Sequence, residues 1–123
     1  MLADKKLVAF AATVNQAAAK KFYGDILELP LLSEDNYALE FDANGTVLRV
    51  NNVRELKPQE FTVLGWHLDD ISSTIKALNQ KGVFFEKYDF LQQDELGIWT
   101  APGGTKVAWF KDPDGNILSL SEQ

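Results

Sequence analysis

The sequence predicts an α+β protein made of two halves with the same order of elements, strand–helix–strand–strand–strand. Three observations carry this prediction. In each half, one stretch of helical apolar spacing follows a single alternating stretch and precedes further alternating ones. Asn44-Gly45 sits between two alternating stretches, a strong short hairpin signal. Lys57-Pro58 lies near the middle, where a proline biases the preceding residue towards extended backbone and marks a boundary between halves.

The elements follow in order. Leu7 to Val14 is a strand, with Val8, Phe10, Ala12 and Val14 on one face and Leu7, Ala9, Ala11 and Thr13 on the other. Asn15 caps a helix from Gln16 to about Glu28, whose Ala19, Phe22, Tyr23 and Ile26 recur at helical spacing, and Pro30 stops it. A short strand at about Leu31 to Ser33 comes next. Tyr37 to Asp42 and Thr46 to Asn51 then form the hairpin. With Asn44 and Gly45 as the two turn residues, Ala43 faces Thr46, Asp42 faces Val47, Phe41 faces Leu48 and Glu40 faces Arg49. Opposite charges directly across an antiparallel pair attract, so a Glu40–Arg49 ion pair is expected. Such a pair is either a plain cross-strand bridge or a device by which Glu40 orients Arg49 for a ligand carboxylate or phosphate.

In the second half, Phe61 to Leu68 is a strand with Val63, Gly65 and His67 on one face and Leu64, Trp66 and Leu68 on the other, the second set suited to pack on a helix. Asp69 or Asp70 caps a helix in which Ile71, Ile75 and Leu78 share a face, and Gly82 stands where a C-terminal cap belongs. Phe84 to Phe90, Lys106 to Lys111 and Ile117 to Ser121 are the remaining strands, and Asp112-Pro113-Asp114-Gly115 makes the last turn. Trp99 falls in a loop-like stretch, ELGIWTAPGG, where it can serve as a stacking platform beside a cavity. Of Trp109 and Phe110, alternation sends one to each face, but the strand is apolar on both sides and does not say which.

The passage AATVNQAAAKKFYGDILELPLL, followed downstream by VAWFKDPDGNILSLSEQ, resembles the vicinal oxygen chelate superfamily. That group includes glyoxalase I, bleomycin-resistance proteins, fosfomycin-resistance enzymes and ring-cleaving dioxygenases. The FY after the first helix and the DPDGN before the last strand are the specific parts, and LDDISSTIKALNQKGV supports them. The resemblance implies one domain over residues 1–123 with two βαβββ modules, about 5–56 and 59–123, whose strands curl around a cavity. It also implies a homodimer, in which the cavity is completed across subunits. Family members often bind a divalent metal through four strand positions, and these fall at Ala9 (or Val8, allowing a one-residue gap), Arg49, Val63 and Ser119. Alkyl groups cannot donate, arginine is cationic and a neutral serine is a poor ligand, so no metal is expected. By the same alignment His67 looks into the cavity near the vacant metal position, with Gly65 leaving room beside it.

Composition narrows the function further. Among 123 residues, 12 Lys+Arg against 18 Asp+Glu give a net charge of −6, which argues against a nucleic-acid partner. There is no cysteine, which excludes thiol catalysis, Cys-ligated zinc and disulfides. A single histidine excludes any mechanism needing two from one chain. The opening residues read as a strand rather than a signal peptide, no apolar stretch is long enough to span a membrane, and the cytoplasm is the expected compartment. The expected function is metal-free binding of a small organic molecule, with Arg49, Glu40, His67, Ser119 and Trp99 as ligand contacts and no cofactor. The alternative is a metal-independent lyase or isomerase with His67 as its catalytic base and Arg49 stabilising an enolate or carboxylate. A metal-dependent lyase or dioxygenase is opposed by the residues at the four positions.

Overall fold

A computed structural model describes residues 1–123. The chain divides into two compact units, Met1–Lys57 and Pro58–Gln123.

In the first unit, strand β1 (Val8–Thr13) leads into helix α1 (Gln16–Lys20), which continues as a π-helical segment, Lys21–Ile26. Strands β2 (Leu31–Glu34), β3 (Ala38–Ala43) and β4 (Thr46–Asn52) follow. The sheet order is β1-β4-β3-β2, with β1 parallel to β4 and the other pairs antiparallel. The Asn15 side chain accepts a hydrogen bond from Ala18 N at 3.1 Å and so caps the helix start. The expected single α-helix to Glu28 is therefore corrected: its second half widens, with Leu27 N donating to Phe22 O, five residues back, at 2.9 Å. The wider turn buries both Phe22 and Tyr23, whose rings meet edge-on at 5.1 Å. Tyr23 in turn lies 5.9 Å from Phe41, which fixes Leu39, Phe41, Leu48 and Val50 as the buried, helix-facing side of the sheet.

The β3–β4 hairpin has the register that the turn chemistry predicts, including Glu40 opposite Arg49. Asn44 (φ 54°) and Gly45 (φ 93°) both adopt left-handed backbone, the requirement of a type I′ turn and the reason glycine follows asparagine there.

In the second unit, strand β5 (Thr62–His67) and helix α2 (Ile71–Gln80) precede β6 (Trp99–Thr100), β7 (Lys106–Lys111) and β8 (Ile117–Glu122). The sheet order is β5-β8-β7-β6, again with its first and last strands parallel. Asp70, rather than Asp69, caps α2, accepting from Ser73 N at 3.2 Å. Ile71, Ile75 and Leu78 are buried against the sheet face carrying Ala108, Phe110, Leu118 and Leu120.

No strand forms over Phe84 to Phe90. One backbone group of that segment reaches β7, Glu86 N donating to Trp109 O at 2.8 Å, and a side chain takes up others in place of a ladder. Gln93 Nε2 donates to Glu86 O (3.0 Å) and Gly97 O (2.8 Å), and its Oε1 accepts from Tyr88 N at 2.7 Å. The strand beside β7 is Trp99–Thr100, so Trp99 sits on a strand and not in the expected loop.

Candidate functional site

Register assigns each expected site residue to a face. In the first unit Phe10, Arg49, Glu40 and Ser33 pair in one row across the sheet. Paired residues share a face, so this row lies on the side away from the helix. Ala9 pairs with the buried Leu48 and faces the helix, which corrects its placement beside Arg49; Val8 and Phe10 are the β1 residues on Arg49's face.

Arg49 is held from two sides. Its Nη1 donates to Glu40 Oε2 at 2.9 Å and its Nε to Asn51 Oδ1 at 3.0 Å, while Ser33 Oγ donates to Glu40 Oε1 at 3.0 Å. The hydrogen bond from Arg49 first, and that from Ser33 second, hold the Glu40 carboxyl below the usual glutamate range. A depressed carboxyl favours the folded state above its unfolded pKa, and this contribution is lost as pH falls through the folded value. The Glu40 carboxyl carbon, followed by NMR titration, is therefore expected to titrate below a free glutamate. In Arg49→Ala its midpoint should rise; an unmoved midpoint would show that Arg49 does not set it.

In the second unit Gly65, Ser119 and Trp109 form one row on the open face, and His67, Ser121, Val107 and Trp99 form the next. Parity thus decides between neighbours: Phe110 is fully buried towards the helix, and Trp109 faces outward. His67, Ser119 and Trp99 share this face, but His67 is exposed and makes no hydrogen bond or ion pair that would orient its ring. A Cβ on residue 65 would come within 2.7 Å of Ser119 Oγ. The room left by Gly65 is therefore taken by the Ser119 hydroxyl rather than kept open beside His67.

The same face carries a feature that sequence reasoning missed. A cleft of about 620 Å³ is bounded by Trp109, Tyr88, Phe90 and Phe61, with Leu91 and Ile117 as further apolar walls and Lys111 and Glu60 as its charged groups. Successive rings run from Trp99 to Trp109 (6.2 Å), from Trp109 edge-on to Tyr88 (5.7 Å), and from Tyr88 to Phe90 (5.5 Å). Burial, and next the Glu86 carboxylate, push the Tyr88 phenol up, so it stays a neutral hydrogen-bond donor at ordinary pH. The sequence signal for this cleft is the aromatic density of FFEKYDF, whose composition equally suits a strand.

The residues present do not fit a divalent metal. Nowhere does the chain bring together three or more His, Cys, Asp or Glu side chains able to hold one. On the open faces the strand positions offer a guanidinium at Arg49 and a hydroxyl at Ser119, neither a good donor for such an ion.

No family model and no curated protein sequence matches the chain. Solved structures do. A lactoylglutathione lyase from Agrobacterium tumefaciens matches with a TM-score of 0.75 at 14% identity, covering 96% of this chain and 93% of that one. An antibiotic-binding protein from a Streptomyces species matches at 0.72 and 22% identity, covering 99% and 98%. A member of the glyoxalase/bleomycin resistance protein/dioxygenase superfamily from Sphaerobacter thermophilus matches at 0.71 and 24% identity, covering 95% and 97%. At such identities the likeness is one of fold, and the chain has the two-module α+β fold of glyoxalase/bleomycin-resistance/dioxygenase proteins.

Proposed function

We propose that the protein binds a small organic molecule in the cytoplasm without a divalent metal, as a homodimer of single-domain chains. The observation that carries this reading is the aromatic cleft of the second unit, whose volume lies in the range of small-molecule sites and whose walls are apolar with few polar groups. The absence of a suitable donor cluster supports a metal-independent mode. Binding is favoured over catalysis because a general base needs an orienting partner, and nothing orients His67. The antibiotic-binding activity named for the Streptomyces protein is of the same kind, and no helix of this chain is long and apolar enough to cross a membrane.

Arg49 is proposed as a second ligand contact, since Glu40 and Asn51 fix its head group while Nη2 makes no hydrogen bond within the chain. His67, Ser119 and Trp99, which share the open face of the second unit's sheet, are proposed as further ligand contacts. The test is a thermal-shift screen of small acids, aldehydes and cationic antibiotics, with and without divalent metals, because a ligand of the folded state raises its apparent stability. At least one organic compound is expected to raise the Tm with no help from metal. Arg49→Ala should weaken an acidic hit by about ten-fold or more, the typical effect of losing a charge-assisted hydrogen bond. Stabilisation only by metals, or by nothing in the panel, would overturn the reading.

A further inference from the structure

The cleft of the second unit is lined by one cation, Lys111. Lys111 ends β7, two residues after Trp109 and on the same face of the strand, and both line the cleft. Its ammonium is tethered at 3.5 Å by Glu86, which does not line the cleft, and its side chain remains 48% exposed. A lysine so placed has N–H donors left for a ligand. The other charged group, Glu60, stands in the irregular segment before β5 and is exposed.

The apolar part of the cleft is unusually aromatic for a solvent-facing surface. Phe90 and Phe61 are 81% and 62% exposed at its margin, while Tyr88 and Trp109 are half-buried deeper in the ring series. Rings stacked or met edge-on by further rings select flat, delocalised partners over branched aliphatic ones. The Tyr88 hydroxyl makes no hydrogen bond within the chain, which leaves a second neutral donor near Lys111.

We infer that this cleft is a site for a flat aromatic anion, its ring held against Trp109, Tyr88 and Phe90 and its acidic oxygen on the Lys111 ammonium. The inference rests on the binding reading above and adds the ligand class and the residues that select it. Neither Lys111 nor Phe90 belongs to the core, so both can be replaced without loss of the fold.

Isothermal titration of the full chain with 2-naphthoate tests it, with 2-naphthylmethylammonium and cyclohexanecarboxylate as probes of opposite charge and of missing aromaticity. Naphthoate should bind more tightly than either. Lys111→Gln should weaken naphthoate by about ten-fold or more, and Phe90→Ala by about three-fold or more. Tighter binding of the ammonium probe would transfer recognition to Glu60 and overturn the inference. A loss seen in Arg49→Ala but not in Lys111→Gln would overturn it too, while leaving the broader binding reading in place. If naphthoate fails to bind although the thermal-shift screen yields other ligands, the inference alone is wrong; if nothing binds, both are.

Discussion

Phe110→Ala is expected to destabilise the second unit by about 3–5 kcal/mol, the cost of emptying a fully buried aromatic site. Trp109→Ala, one residue earlier, is expected to cost only about 1–2 kcal/mol, because its ring is half exposed and its contacts are with Tyr88 and Trp99 at the surface. Phe110 lies against Phe85 (5.2 Å between ring centres) and shares its face with Ala108, Leu118 and Leu120, all buried. Trp109 shares its face with Ser119 and Gly65. Urea unfolding would separate the two: a large drop in midpoint for Phe110→Ala, a small one for Trp109→Ala, and the reverse order for aromatic-ligand affinity. Equal losses of stability would mean that both faces of β7 are core and that the cleft is not a surface.

Asp112→Ala is the second substitution with a large expected effect. Asp112 is 5% exposed and does not touch the cleft. Its Oδ1 accepts from Asp114 N (3.0 Å) and Asn116 N (2.9 Å), and its Oδ2 accepts from Asn116 Nδ2 at 2.8 Å. Asn116 is as buried as Asp112. Each buried donor deprived of its acceptor costs about 1–3 kcal/mol, so alanine should cost more than an ordinary surface change and about as much as a core cavity. Asp112→Asn should fall in between, keeping one oxygen for the two backbone N–H groups but setting an amide N–H against that of Asn116. Thermal melts of the three proteins should rank wild type above Asn above Ala; a wild-type melt for Ala would show that the turn does not depend on this carboxylate.

What could be read in advance was whatever neighbouring residues decide among themselves. The Glu40–Arg49 pairing follows from two turn residues and a period of two, and both are local. The caps at Asn15 and Asp70, the βαβββ order and the DPDG turn are local in the same sense. The errors arise where a distant group decides. Phe84 to Phe90 has the composition of a strand, yet its contact with β7 is Glu86 N on Trp109 O, the side chain of Gln93 takes up further backbone groups, and Trp99–Thr100 pairs with the start of β7. Of the two β1 positions the resemblance offers, the parallel register of β1 on β4 turns Ala9 to the helix and leaves Val8 on Arg49's face. The choice between Trp109 and Phe110 needed the pairing with β8. The cleft was hidden for the same reason, since Phe61, Tyr88 and Trp109 come from three separate segments.

Both sheets are closed by pairing their first strand with their last, and this has a consequence for how the chain is made. Phe10 must meet Arg49 and Gly65 must meet Ser119, partners about 40 and about 54 positions apart. Loop-closure entropy grows so slowly with length that the two closures cost nearly the same, but contacts of such long range raise the contact order and slow the search. The β3–β4 hairpin, by contrast, can zip within microseconds once made. During synthesis β1 therefore emerges first and is paired last. Until β4 has left the ribosome, the backbone N–H and C=O groups along the pairing edge of β1 wait without ladder partners, open to pairing with a wrong strand.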